Sequence, residues 1–377
     1  MNKRKERTKM KEIKILAIIV IIVGVLYWGV EPLAHKTFHP EVAKADFAFN
    51  DLQDIDLSKG DAARGKEYVE KNCVACHTVN SVGIAGGEMT MYFRDNKEAT
   101  IFTPDLSVAG AIYDEKFLAN LILDPANALH LTHKFPNGDF PMTQYFGMTD
   151  DTKQEVSDIV AYLKSIGSIS LKKQVLESQE FAAKKEAIEK AGHSSEQTQS
   201  QIATLEENLT NKAVFLNACS RCHTMKYDNV ASRTSPESLD AYLGSPAPDL
   251  SMMIRAKGKH YLEHFINDPQ NVSFKSIQDA IIQKEGSLPA NDKKSPWQDD
   301  RDYSNLAKEL GVMPVGLSMP RVGLTEEAQE RVVAYLESVG DAKKEQRESL
   351  GIYIMIFFGV MSILAYLWKK RIWSEVH

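Results

Sequence analysis

Two runs of this chain carry no charge at all, one near each end, and between them the apolar residues recur at helical spacing. The runs are Ile15 to Val30, rich in Ile and Val, and Gly351 to Trp368. Between them, the apolar pairs Tyr68–Val69 and Val214–Phe215 predict short helices leading to Cys73 and Cys219. From Glu326 to Ser338, Val332, Val333 and Leu336 fall at helical spacing with Tyr335 beside them, and Thr325 stands in front as an N-cap followed by acids. No sustained two-residue alternation occurs, so the chain is expected to be mainly α. The stretch 169–204, rich in Lys, Glu, Gln and Ala, reads as a helical or frayed surface linker.

At 1.5 Å per residue the first run spans about 24 Å. That is slightly short of a hydrocarbon core of about 30 Å, but close enough for a helix with interfacial flanks. Tyr27 and Trp28 lie at its far end, where aromatic side chains favour the headgroup level. A basic stretch before an apolar run also describes a cleaved signal. The Ala43-x-Ala45 pattern, however, lies far past Val30, with Glu31, Pro32, His35 and Lys36 between, so a retained anchor is the expectation. The second run ends in Lys369-Lys370-Arg371. Cations thus flank the outer end of each run, which puts both termini in the cytoplasm and everything between on the opposite side, the periplasm of a bacterium.

The middle of the chain repeats. Gly65-Lys-Glu-Tyr-Val-Glu-Lys-Asn-Cys73-Val-Ala-Cys76-His77-Thr78 is answered by Asn211-Lys-Ala-Val-Phe-Leu-Asn-Ala-Cys219-Ser-Arg-Cys222-His223-Thr224. Pro104-Asp105-Leu106-Ser107 is answered by Pro248-Asp249-Leu250-Ser251, and Asp124-Pro125 by Asp268-Pro269. The closing segments Val160-Ala-Tyr-Leu-Lys-Ser-Ile-Gly167 and Val333-Ala-Tyr-Leu-Glu-Ser-Val-Gly340 nearly coincide. The expected layout is a basic tail 1–14, a transmembrane helix 15–30, a lead-in 31–57, a first domain 58–168 and the linker 169–204. A second domain 205–342, with an insertion at about 271–310, a transmembrane helix 351–368 and a basic tail 369–377 complete it.

Charge narrows the partners. Of 377 residues, 45 are Lys or Arg and 51 Asp or Glu; setting the two basic tails aside leaves 35 cations against 48 anions, about −13 for the body. Nucleic acid, which needs a basic surface, is excluded as a partner. A positively charged protein partner fits, as does acidity serving solubility alone.

The four cysteines carry the chemistry. Both pairs have the form Cys-x-x-Cys-His, the attachment signature of c-type haem. Two thiols add to the two vinyl groups of the macrocycle, and the next residue, an imidazole, is directed at the iron. A zinc site would want four such ligands together, whereas these motifs lie in separate repeats; a disulfide has no need of the histidine. The expected iron ligands are His77 and His223, with a methionine late in each repeat at the sixth position. Met319-Pro320 is favoured in the second repeat over Met313-Pro314. Met142 is favoured in the first over Met148, because it precedes Thr149, the expected start of the closing helix, by seven residues, against six from Met319 to Thr325. Met89, Met91, Met252 and Met253 read as core fillers. Pro104 and Pro248 are expected beside the ligating imidazoles, a neighbouring carbonyl accepting each Nδ1–H; a plain turn is the alternative. His130, His133, His260 and His264 read as satisfied or surface residues, with a histidine as sixth ligand in the first repeat the alternative, and His35 and His39 as interfacial.

Throughout both repeats the sequence resembles the cytochrome c fold family, through the Cys-x-x-Cys-His motifs, Pro-Asp-Leu, Met319-Pro320 and the closing Val-Ala-Tyr-Leu. The ending Trp368-Lys-Lys-Arg-Ile-Trp373-Ser-Glu-Val-His377 looks like the tail of cytochrome c1. The layout resembles the di-haem version of that subunit of the quinol–cytochrome c reductase (bc1 complex) in Campylobacter-like bacteria. The resemblance implies two tandem cytochrome c-type domains between transmembrane helices and two covalently attached haem c groups. It also implies a complex with cytochrome b and a Rieske iron–sulfur protein, and a soluble cytochrome c or oxidase as acceptor. Such a chain carries electrons and performs no substrate chemistry of its own. A tethered di-haem shuttle or oxidase subunit is the alternative; a di-haem peroxidase, needing an iron that opens a coordination position, is disfavoured by methionine candidates in both repeats.

Overall fold

The computed structural model of the protein describes residues 2–30, 33, 47–85, 88–93, 97–135, 139–270, 282 and 318–376. His35, His39, Met313 and nearly all of the 271–310 insertion lie outside these residues. The chain forms two compact units, Met1–Lys44 and Ala45–His377. The first is a helix, α1 (Asn2–Val25), continued by a wider π turn at Leu26–Val30; its apolar stretch is Lys14–Val30.

The second unit is mainly helical. It holds α2 (Ala62–Asn72), a hairpin of β1 (Glu88–Tyr92) and β2 (Glu98–Phe102), and α3 (Ala109–Ile112). Then follow α4 (Glu115–Leu123), α5 (Pro125–Ala128), α6 (Thr152–Leu176), α7 (Gln179–Lys190) and α8 (Ser195–Ala218). The chain continues through α9 (Pro236–Leu243), α10 (Met253–Lys257), α11 (Lys259–Phe265), α12 (Glu326–Gly340) and α13 (Lys344–Val376). Among the described residues one helix, Lys344–Ser374, is long and apolar enough to cross a membrane, and none of its apolar window is buried. It can anchor the chain in a lipid bilayer.

Local chemistry sets the helix starts. Asp61 caps α2 by accepting from the amides of Ala63 and Arg64 at 2.8 and 3.0 Å. Thr325 caps α12 through Ala328 N, as expected from the sequence. Ser194 and Gln197 form a capping box on α8. Thr149 was expected to open α6, but the helix begins at Thr152 with Asp151 as its cap. The hydroxyl and amide of Thr149 are instead taken by the Glu155 carboxylate, which also receives the Tyr145 hydroxyl and the Met148 amide.

α2 crosses α6 at closest approach through Gly65, where an added Cβ would lie 1.9 Å from the carbonyl oxygen of Asp158. Val69, Ile159, Tyr162 and Leu163 are buried around this crossing, each contributing about 1.5–3 kcal/mol of apolar burial. Arg64 locks it by a bidentate pair with Asp158, 2.7 and 2.9 Å. Gly65→Ala is therefore expected to cost about 3 kcal/mol through overpacking, read as a lowered thermal midpoint.

Two features depart from the sequence expectation. Gly167 does not end α6; it meets the backbone of Ala111 on α3, and the helix runs on to Leu176. The 169–204 stretch is accordingly helical, the end of α6 and the α7–α8 hairpin packing Val175, Phe181, Leu209 and Ala213 into a small core. The hairpin β1–β2 was also unexpected. Its second strand is fixed from outside, the amides of Thr100 and Phe102 donating to Ser238 Oγ and Thr234 Oγ1 at the start of α9.

Candidate functional site

α2 and α8 deliver the two cysteine pairs in the same turn. Cys73 N donates to Val69 O at 2.9 Å and Cys219 N to Phe215 O at 2.8 Å, ending each helix. His77 N then bonds Cys73 O, and His223 N bonds Cys219 O, both at 2.9 Å. The two-residue spacing thus wraps one helical turn, with both thiols and the imidazole projecting from a single stretch.

The Pro-Asp-Leu-Ser segments close the two sites in the same way. His77 Nδ1 donates to Pro104 O at 3.0 Å, and His223 Nδ1 to Pro248 O at 2.9 Å. Leu106 N bonds Thr78 O, and Leu250 N bonds Thr224 O, at 2.9 and 3.0 Å. Asp105 accepts from Asn80 N and Asp249 from Lys226 N; Ser107 Oγ accepts from Ser81 N and Ser251 Oγ from Tyr227 N. The carbonyl of the proline fixes the tautomer and plane of the ring, leaving the Nε2 lone pair for a metal.

Electrostatics suit a covalent cofactor. The four thiols are free. Burial pushes Cys73 up to about 11 and Cys219 up to about 12, and raises Cys222 as well. Cys73, Cys219 and Cys222 are thus neutral at pH 7, unlike the low-pKa thiolates of disulfide exchange. Burial also depresses both histidines, against the bond to each proline carbonyl. They are thus neutral imidazoles, the form that binds a metal. Among the described residues no group of three or more His, Cys, Asp or Glu side chains is placed to hold a metal ion.

Met142 and Met319 are both half-buried. The seven-residue spacing to Thr149 loses its premise, because Asp151 is the cap. Another correspondence takes its place. Tyr145 N docks on Ile122 O near the end of α4, and Leu324 exchanges two bonds with Asn267 just beyond α11. Met142 precedes its docking residue, as Met319 does; Met148 follows it. Met148 is half exposed and its sulfur accepts from Asn72 Nδ2 at 3.3 Å. Met142→Ala is expected to give a high-spin signature in the absorption spectrum of the haem-loaded chain, whereas Met148→Ala is expected to leave the spectrum unchanged; the reverse result would reassign the ligand.

Of the core-filler methionines, Met253 packs against the main core, while Met89 and Met91 are half-buried on β1. Met252 is a correction: it is exposed, its sulfur accepting from the Tyr227 hydroxyl. His260 and His264 meet edge to face, one helical turn apart, and His264 and His133 are half-buried. His130 is buried, its Nε2 donating to Asp51 at 2.9 Å.

Two groups at the site carry no signal in the sequence pattern. Asp51, in the lead-in, receives both Nη1 and Nη2 of Arg321 at 3.0 Å, two residues past Met319. Arg221, between the cysteines of the second motif, donates to the Tyr113 hydroxyl at 3.4 Å, across to the first repeat. Its position inside a motif was visible; its direction was not.

The family model "Cytochrome c" matches residues 62–167. Over 118 residues, 29% of the chain, the sequence is 31% identical to cytochrome c2 of Rhodospirillum rubrum, covering 84% of that protein. Over 46 residues, 12% of the chain, it is 39% identical to cytochrome c1 of Allochromatium vinosum, a match spanning 19% of that relative's length. No solved structure matches.

Proposed function

The chain belongs to the cytochrome c family, and from that premise we propose that it is the membrane-anchored di-haem electron-transfer subunit of a quinol–cytochrome c reductase. Two tandem cytochrome c-type domains, 58–168 and 205–342, would each hold one covalently attached haem c. The observation that carries this reading is the pair of imidazole–proline contacts, His77 Nδ1 to Pro104 O and His223 Nδ1 to Pro248 O.

The residues fit the group. Cys73 and Cys76 would hold one haem by thioether bonds, with His77 and Met142 on the iron; Cys219, Cys222, His223 and Met319 would hold the other. Bound haem supplies a one-electron ferric/ferrous couple. The chain's own work is to keep each imidazole neutral by burial, to orient it through the carbonyls of Pro104 and Pro248, and to shield the couple from water.

The reductase assignment draws support from the similarity to a segment of cytochrome c1, the c1-like ending and the C-terminal apolar helix. In this reading a Rieske iron–sulfur protein, in a complex with cytochrome b, delivers electrons, and a soluble cytochrome c or oxidase receives them. The N-terminal helix is a second span, both termini are cytoplasmic and the domains lie in the periplasm, as in the Campylobacter-like di-haem subunits.

Purification from membranes in mild detergent tests this. Co-purifying cytochrome b and Rieske protein, with quinol-dependent reduction of two haems per chain, is the expected result. A solitary chain whose haems quinol cannot reduce would replace the reductase with a tethered shuttle or oxidase subunit.

A further inference from the structure

Outside both attachment turns, α11 carries the sequence His260-Tyr261-Leu262-Glu263-His264. A step of four residues along a helix puts both imidazoles on one face. Nε2 of His264 lies 3.2 Å from both Nδ1 and Nε2 of His260, and the ring centroids are 4.2 Å apart. His260 is exposed and His264 half-buried, so solvent reaches the pair.

Two imidazole nitrogens on one tetrahedral ion, each at 2.0–2.1 Å, stand about 3.3–3.4 Å apart. The pair is thus already at chelating separation. Its rings meet at 88°, and the exposed His260 has room to turn about χ2, a broad torsion, until both lone pairs share one point. The ammonium of Lys259, next to His260, is offset by Glu263 at 3.7 Å. A plain hydrogen bond between the two rings would hold them at a similar distance without binding any ion.

We propose that His260 and His264 chelate one divalent ion of the zinc, copper or nickel class, with water completing its coordination. Imidazole suits these metals, whereas calcium and magnesium want oxygen ligands. Among the described residues no third His, Cys, Asp or Glu side chain joins the pair, so the ion is an exchangeable one. Its structural effect falls on α11, a seven-residue helix too short to hold its shape unaided. Just beyond α11, the Asn267 side chain exchanges two bonds with Leu324, at 2.8 and 2.9 Å, and the Glu263 carbonyl accepts from Gln329 Nε2 on α12. A chelate across one turn therefore stiffens the strut on which the Met319 segment rests.

The test is calorimetric titration of the full chain in detergent with zinc chloride, comparing wild type with His260→Ala and His264→Ala. The difference isolates this pair from the chain's other histidines. In either variant the affinity of one zinc site is expected to fall at least about tenfold, the smallest cost of losing even a group that lies behind a ligand. Zinc should raise the thermal midpoint of the wild type more than that of either variant, because an ion that binds only the folded chain stabilises it. It should also slow amide exchange across 259–265 in the wild type alone, and magnesium should do neither. Equal zinc affinity and stoichiometry in all three chains overturn the proposal and leave a ring–ring hydrogen bond. Zinc held only between two chains, seen as a doubled mass by light scattering, overturns it as well.

Discussion

On the proposed two-haem reading, alanine at both Cys219 and Cys222 is expected to leave a chain carrying half the haem of the wild type, with the first attachment site intact. The reason lies in how the two sites are built. Each has its own helix, its own turn and its own Pro-Asp-Leu-Ser clasp, and no thiol of one contributes to the turn of the other. Without thioether bonds the second haem would be held only by His223, its sixth ligand and burial, and would be lost through detergent purification. Haem per chain by pyridine haemochrome is the readout. An unchanged value in C219A/C222A would mean that the second motif never carries haem, and would reduce the protein to a single-haem cytochrome with a cytochrome-like partner domain. The companion change, Cys73→Ala with Cys76→Ala, should leave the complementary half.

The second large effect is on stability. Asp51→Ala is expected to lower stability by about 3–5 kcal/mol, the usual cost of stranding one member of a buried ion pair. Arg321 is only 4% exposed, lies over the Phe49 ring, and has its Nη1 and Nη2 on Asp51; His130 bonds the same carboxylate. Removing the carboxylate leaves a desolvated guanidinium next to the Met319 segment. The thermal midpoint should fall by roughly 10 °C for a body of this size. If Met319 ligates a haem as proposed, the methionine–iron charge-transfer band should be lost before the helices melt.

The same cluster makes stability depend on pH. Asp51 meets opposing influences: burial raises its pKa, but the bonds from His130 and Arg321 and the charge of Arg321 outweigh it and hold the carboxyl well below its usual range. Burial depresses His130 to about 4, against the pull of Asp51. A histidine with a folded pKa below its unfolded value of about 6.5 contributes stability that is complete above pH 6.5 and lost as pH falls toward 4. The loss amounts to about 3 kcal/mol. His130→Asn keeps a residue tolerant of the left-handed backbone found there, φ 58°, and should flatten the stability curve across that window. A curve of unchanged slope would show that His130 is not the titrating group.

Much of this was legible in the residues, and the reasons for the rest are physical. The Cys-x-x-Cys-His turns and the Pro-Asp-Leu-Ser clasps are local, each residue bonding within about thirty positions of itself, so a short motif encodes them completely. The Thr325 cap was readable for the same reason. The hairpin was not, because Thr100 and Phe102 take their bonds from Ser238 and Thr234, more than a hundred residues away. Gly167 looked like a stop, yet it is a contact: only the position of α3 reveals why a side chain is excluded. Asp51 and Arg321 are separated by 270 residues, a distance over which sequence pattern carries no information.

The Met319 segment does not dock on its own repeat alone. Arg321 N bonds Leu129 O, Asp114 N bonds Gly323 O, Thr325 N bonds Ile112 O, and Gly323 lies so close to the Phe117 ring that a Cβ there would clash. In assembly terms, the second site is finished by the first repeat. A gene cut in the 169–204 stretch would therefore not yield two small cytochromes. It would yield a first half with Ile112 and Phe117 laid bare, and a second half whose ligand segment has nothing to fold against. The two repeats are therefore one unit of folding, joined at the segment that carries Met319.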